Sequence, residues 1–220
     1  MFFFLTYITI LSISFLCSLV SFRLHYSFHL RFFSVFLGVT LLTEFCAYYL
    51  PEHLDTKTNY PIYNIYILVQ GIFYAIYFRL LTDLRGMKRF INSFLILFPA
   101  FWLITTLTEF KLTAWNSYAV MAGDLFIVSC CAVYLYRLFT SEGVVNFWRL
   151  PEFWIAAGSI VFFSCELPIT GMLNFMAHNY ERQALILREV LQVLNIAMYS
   201  AFTYAFLCPL TKTHITKSFL

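Results

Sequence analysis

The chain has 220 residues, 61% of them hydrophobic, 21% aromatic and only 11% charged, with a net charge of +3 and a mean hydropathy of +0.78. Soluble domains carry roughly 25% charged residues, so this balance excludes a soluble globular protein. The small positive excess fits basic loops beside lipid headgroups and gives no support for nucleic-acid binding.

Apolar runs long enough to cross ~30 Å of hydrocarbon recur throughout. The first, residues 1–21, begins MFFFLTYITI with no basic residue ahead of the apolar stretch, while Arg23 and Arg31 follow it. That order fits a first span with its N-terminus outside better than a cleaved secretory signal. Further spans are expected at 33–50, 61–81, 90–108, 116–139, 152–174 and 184–207. Pro51 is expected to end span two and Pro209 span seven, while Pro61 and Pro151 open spans three and six at first-turn positions. Pro99 and Pro168 lie inside spans four and six, where proline removes a backbone donor and kinks a helix. The expectation is one all-α domain over 1–220, a bundle of seven transmembrane helices.

Charge bias orients it. Loops one, three and five and the C-terminal tail hold Arg23, Arg31, Arg79, Arg85, Lys88, Arg89, Arg137, Arg149, Lys212 and Lys217. The opposite side holds only Lys57, Lys111, Arg182 and Arg188. Basic residues concentrate on the cytoplasmic side, so the C-terminus is expected in the cytoplasm and the protein in the inner membrane as a multi-pass chain. Trp115, Trp148 and Trp154 sit near span ends, as interface anchors do.

Glu44, Asp124, Glu166 and Glu189 fall inside the apolar stretches. Ionisable groups are costly there, and they commonly face a bundle interior or a wet cavity and mark function. At ~1.5 Å per residue, all of them are expected ~7–13 Å below the outer boundary, in one layer. In span three, Tyr63, Tyr66, Gln70, Tyr74 and Tyr77 follow three-and-four spacing and share a helix face. In span seven, Arg188, Gln192, Asn195 and Tyr199 form a second stripe beside Glu189, and in span six Glu166, Thr170 and Asn174 are four apart. The expected ligand- or ion-binding set is Glu44, Gln70, Asp124, Glu166, Arg188, Glu189, Gln192 and Asn195. Polar residues of this kind also serve as plain interhelical hydrogen-bond partners, and both roles stand open at this point.

Several sharper chemistries drop out. No lysine lies deep in a span, which excludes a retinal Schiff base, and no Pro-Gln pair occurs. His25, His29, His53, His178 and His214 read as loop or tail residues, with headgroup contact expected for His25 and His29, so an intramembrane zinc hydrolase lacks its ligands. GxSxG is absent. Cys17, Cys46, Cys130, Cys131, Cys165 and Cys208 lie in or beside apolar runs and read as small hydrophobes. No cofactor, metal or catalytic residue is expected.

The run WNSYAVMAGDLFIVSCCAVYLYRLF, then LPEFWIAAGSIVFFSCELPI and LQVLNIAMYSAFTYAF, resembles an uncharacterised seven-span family of Bacteroidetes. The resemblance rests on Asn116, Ser117, Tyr118, Asp124, Phe153, Trp154, Gly158, Asn195 and Tyr199, with an echo at Thr43, Glu44 and Phe45. It covers roughly the last half of the chain; Glu166 departs from the pattern, which has a small or amide residue there. Members are often encoded beside sensor histidine kinases, so the resemblance implies a sensory or signalling role with such a kinase as partner.

The leading expectation is a receptor-like or sensory membrane module. Its outer-facing acidic pocket would take a small cationic or polar ligand or a proton, and it would signal to a histidine kinase or other membrane signalling protein. A small proton- or cation-coupled transporter using the same acids is the alternative, and a membrane enzyme acting on lipid a third. The mostly apolar inner halves of spans two and five, SVFLGV and FIVSCCAVYLY, favour a site sealed from the cytoplasm.

Overall fold

The computed structural model describes residues 2–23, 26–53, 58–110, 114–141 and 146–208. His25, Lys57, Lys111, Pro209, Lys212, His214 and Lys217 lie outside them, as do the side chains of His53, Asn174 and His178. The described elements are α1 (Phe2–Ser18), α2 (Val20–Arg23), α3 (Phe28–His53), α4 (Tyr60–Leu81), α5 (Arg85–Thr105), α6 (Ser117–Thr140), α7 (Pro151–Asn179) and α8 (Glu181–Leu207). A π turn at Thr106–Phe110 extends α5, and a 3-10 turn at Phe147–Arg149 precedes α7. No strand occurs among the described residues.

Among the described residues, seven helical segments are long and apolar enough to cross a membrane: Phe3–Arg23, Phe28–Pro51, Tyr60–Leu81, Arg85–Phe110, Ser117–Thr140, Pro151–Met172 and Arg182–Leu207. In hydrocarbon each backbone donor and acceptor must be satisfied within the protein, and an α-helix does this segment by segment. Hydroxyl side chains follow the same rule by bonding back to their own helix. Thr9 donates to the Leu5 carbonyl, Ser129 to Leu125 and Ser200 to Ile196, at 2.7–2.8 Å. Pro61 and Pro151 do open α4 and α7. Pro51 closes the span Phe28–Pro51, and α3 runs two residues further to His53.

The helices close into a ring in the order α1, α3, α4, α5, α6, α7, α8 and back to α1, with α4 also packed on α6. Neighbours in sequence run antiparallel, and α8 lies parallel to α1: Tyr7 meets Tyr199 near one end, and the Tyr26 hydroxyl reaches the Phe206 carbonyl near the other. We call the end where α1 begins the N-terminal face and the end where α8 stops the C-terminal face. Helices α4 and α6 are the most enclosed, and Phe33 of α3 is a hub of the aromatic packing around α4. Its ring meets Phe36, Phe73, Tyr74, Tyr77, Phe202 and Phe206 at centroid distances of 5.1–6.4 Å. With hydrocarbon outside, no hydrophobic force gathers these helices, so tight packing and interhelical hydrogen bonds must.

Two contacts show that tightness. A Cβ added at Gly71 would come within 2.4 Å of Phe98 Cε1, and one at Gly158 within 3.1 Å of the Ala201 methyl. Near the N-terminal face an amide lock joins α4, α5 and α6. Asn64 accepts from the Asn116 backbone N–H (3.0 Å) and donates to the Ala114 carbonyl (2.9 Å). Asn116 Nδ2 donates to Thr105 and Thr106 (2.9 and 3.0 Å), while its Oδ1 caps α6 by accepting from Ala119 N–H (3.1 Å). Trp102 Nε1 donates to the Asn64 carbonyl at 2.8 Å.

Gly71→Ala is expected to destabilise the bundle by about 1–3 kcal/mol, the usual cost of an extra carbon in a packed core. Gly86→Ala, whose added Cβ meets nothing within 4 Å in α5, should not lower the thermal midpoint in detergent and should raise it slightly through alanine's better helix propensity. Equal midpoints for the two variants would contradict the close α4–α5 contact.

Candidate functional site

The interior polar groups are arranged along α4, whose tyrosines turn inward as their spacing predicts. Tyr74 and Tyr77 are fully buried, and Tyr63 and Tyr66 half-buried. Each serves a different neighbour. Tyr63 donates to Glu44 Oε2 at 3.0 Å, and Tyr7 of α1 donates to Glu44 Oε1 at 2.9 Å. One carboxylate of α3 is thereby held by phenols from both adjacent helices. A turn deeper, the Tyr66 hydroxyl lies 2.9 Å from Thr40 Oγ1, and Thr40 also bonds back to the Phe36 carbonyl at 3.0 Å. Deeper still, the Tyr74 hydroxyl is 3.1 Å from Ser159 Oγ of α7.

Asp124 and Glu166 face each other across α6 and α7, near enough to interact electrostatically. Asp124 is only 2% exposed, and its Oδ2 has no hydrogen-bond partner among the described residues. Neither acid forms an ion pair with a described residue. Tyr66 and Tyr199 each interact electrostatically with both Glu44 and Glu166, and so connect the acid of α3 to the facing pair. Along α4, Glu44 stands beside Tyr63 and Glu166 near Tyr66 and Tyr74, with Asp124 within electrostatic reach of Glu166.

The other members of the expected set fall elsewhere. Gln70 and Gln192 are half-buried, and Asn195 donates to the Leu191 carbonyl of its own helix at 3.1 Å. Arg188 and Glu189 are exposed on α8, and the structure does not bring them into the buried group. Their stripe on α8 rotates inward only at Tyr199, which is 3% exposed.

A second polar group, at the C-terminal face, corrects the reading of His29. His29 sits in the first turn of α3, and its Nε2 lies 2.6 Å from Glu152 Oε1 and 2.8 Å from Ser27 Oγ. Headgroup contact is not its role. Glu152 is buried in the first turn of α7, where a helix N-terminus favours an acid. It interacts electrostatically with Tyr77, Tyr134 and Cys208, and the His29 and Tyr77 rings meet edge-on at 6.3 Å. Cys208 lies just beyond the last span. Burial first, and Glu152 second, push its thiol up to about 11, which keeps it protonated and unreactive. The available signal for this group was an acid directly after the helix-opening Pro151; its partner lies far away in sequence.

The halves of α3 and α6 nearer the C-terminal face are mostly apolar, as expected, but α4 and α7 carry polar groups through that half. Among the described residues no cluster of three His, Cys, Asp or Glu side chains is placed to hold a metal. A groove of about 340 Å³ between α1–α2 and α3 is lined by Phe15, Leu19, Phe22, Val35 and Leu42 and is separate from both polar groups. Compared with models of known families, with curated proteins and with solved structures, the chain matches none.

If the Glu44 clamp is a shared unit, Tyr7→Phe and Tyr63→Phe should each cost about 0.6–1.7 kcal/mol, the range for interhelical hydrogen bonds in membranes. In double-mutant cycles of unfolding free energy, each should show less effect in a Glu44→Gln background. Full additivity would indicate that the phenols and the carboxylate do not act together.

Proposed function

We propose that this chain is a receptor-like sensory module of the cell inner membrane whose interior acids take up a proton or a small cation. One observation carries the reading: the Asp124 carboxylate is buried beside Glu166 with an oxygen unpaired and no basic partner among the described residues. Two carboxylates so placed repel when both are charged, and the uncompensated charge is costly in a low-dielectric interior. A proton or a cation is what would relieve it. The groups facing the pair are Tyr66 and Tyr74 from α4 and Tyr199 from α8, which offer hydroxyls and no counter-charge.

Helix α7 would transmit occupancy. It carries Glu166 towards one face and Glu152, held by His29, at the other, and Pro168 interrupts its hydrogen bonding beside Glu166. The bias of basic residues supports an outside N-terminus and a cytoplasmic C-terminus. Arg85, Lys88 and Arg89 at the start of α5, the two arginines exposed, would then offer a docking point for a membrane signalling partner such as a histidine kinase, which the seven-span family resemblance also suggests. A proton- or cation-coupled carrier is the second reading, favoured by the polar groups that α4 and α7 continue into the C-terminal half.

The test is thermal unfolding of the purified protein across pH and across sodium and potassium concentration, beside Asp124→Asn and Glu166→Gln. Acid or cation should raise the wild-type midpoint, by roughly 2–4 °C for each kcal/mol gained at this chain length. Asp124→Asn removes the repulsion and should flatten the dependence. Identical profiles for all three proteins would overturn the proposal.

A further inference from the structure

The Tyr77 hydroxyl has no hydrogen-bond partner among the described residues, although its side chain is 0% exposed and sits in the aromatic core. A buried hydroxyl without a partner costs more than the hydrogen bond it fails to make, and phenylalanine would fill the same space without that cost. Its surroundings offer a use. Tyr77 lies between Tyr74, which is paired with Ser159, and Glu152, which is paired with His29. From Tyr63 to Tyr77 the hydroxyl-bearing face of α4 spans about 21 Å at ~1.5 Å per residue, much of a ~30 Å hydrocarbon core. It begins at Glu44 and ends at the His29–Glu152 pair.

We propose that this tyrosine ladder is a proton-transfer route joining the interior acids to the His29–Glu152 pair. In each step a phenol or serine hydroxyl accepts a proton on its oxygen from the group before it and releases its own to the group after it. One O–H bond forms as another breaks, no electrons move, and the proton ends on Glu152 or His29 for release at the C-terminal face. Tyr66, Tyr74 and Tyr199, all in electrostatic reach of Glu166, form the upper part of the relay, and Tyr74, Ser159 and Tyr77 the lower. Between Tyr74, Tyr77 and Glu152 a bridging water would complete the path, and the orphaned Tyr77 hydroxyl is the group it would bind.

The route rests on the acids exchanging protons, and its test separates the two claims. Protein is reconstituted into phosphatidylcholine–phosphatidylglycerol vesicles holding a pH-sensitive dye, and a potassium diffusion potential drives protons inward. Wild type should acidify the vesicles faster than protein-free ones do. Tyr77→Phe should cut that rate by about ten-fold or more, given the 10²–10⁴-fold contributions of positioned proton-transfer groups, without lowering the thermal midpoint. Tyr136→Phe, on the exposed side of α6, should change nothing. Should Tyr77→Phe lower the midpoint, Ser159→Ala puts the same question at the adjoining step. Wild-type vesicles no leakier than empty ones, or full flux in both Tyr77→Phe and Ser159→Ala, would overturn the route. Tight vesicles with a flattened Asp124→Asn stability profile would reject the route and leave the acid site standing. Flux lost in Tyr77→Phe with an Asp124→Asn stability profile like that of the wild type would reject the acid site and overturn the route's start at those acids.

Discussion

Inside ~30 Å of hydrocarbon a polar group has no water to turn to, so each must find its partner within the protein or be left costly. Most of the bundle follows from that constraint. Lone serines and threonines bond back to their own helices and face lipid at little cost, as at Thr9, Ser129 and Ser200. Longer polar side chains turn inward and tie neighbours together: α3 to α1 and α4 through Glu44, α4 to α7 through Tyr74, and α4 to α5 and α6 through Asn64 and Asn116. The ring of helices is closed by aromatic packing around Phe33 and by glycine contacts, at Gly71 against the Phe98 ring and at Gly158 against Ala201 and the Met198 carbonyl.

Ser14 Oγ, Arg31 Nε and Trp115 Nε1 are also buried without a partner among the described residues, but two unsatisfied groups stand out by their place beside acids. Asp124 Oδ2 and the Tyr77 hydroxyl are both buried and unpartnered, and both lie near acids. The amide lock, in contrast, is well satisfied and acts as structure. The polar interior therefore divides into a part that holds α4, α5 and α6 in register and a part, along α4 and α7, where charge can be exchanged. A sensor and a carrier share the second part; they differ in whether a proton taken up there moves helix α7 or passes along it.

Much of this was legible in the chain. Apolar runs of span length and their prolines located seven helices, and the three-and-four spacing from Tyr63 to Tyr77 located the inward face of α4. What was not legible depended on helix rotation and on long-range pairing. Glu189 and Glu166 read alike as acids in apolar sequence, yet α8 turns Glu189 outward while α7 turns Glu166 towards Asp124. Spans apolar on every side give no moment to fix that rotation. The His29–Glu152 pair joins residues 123 positions apart across the ring, and no local pattern reports such a contact. The hydroxyls posed the same difficulty. Ser159 and Ser129 are indistinguishable in sequence, but one bridges to Tyr74 and the other bonds its own turn.

The central claim is that the facing carboxyls of Asp124 and Glu166 exchange a proton or a cation. Infrared difference spectroscopy on the membrane-reconstituted protein, recorded as buffer pH and then cation are switched, reads carboxyl groups directly. The account expects a carboxyl–carboxylate difference band in the wild type that disappears in Asp124→Asn and Glu166→Gln. A wild-type difference spectrum indistinguishable from those of the two variants would contradict it.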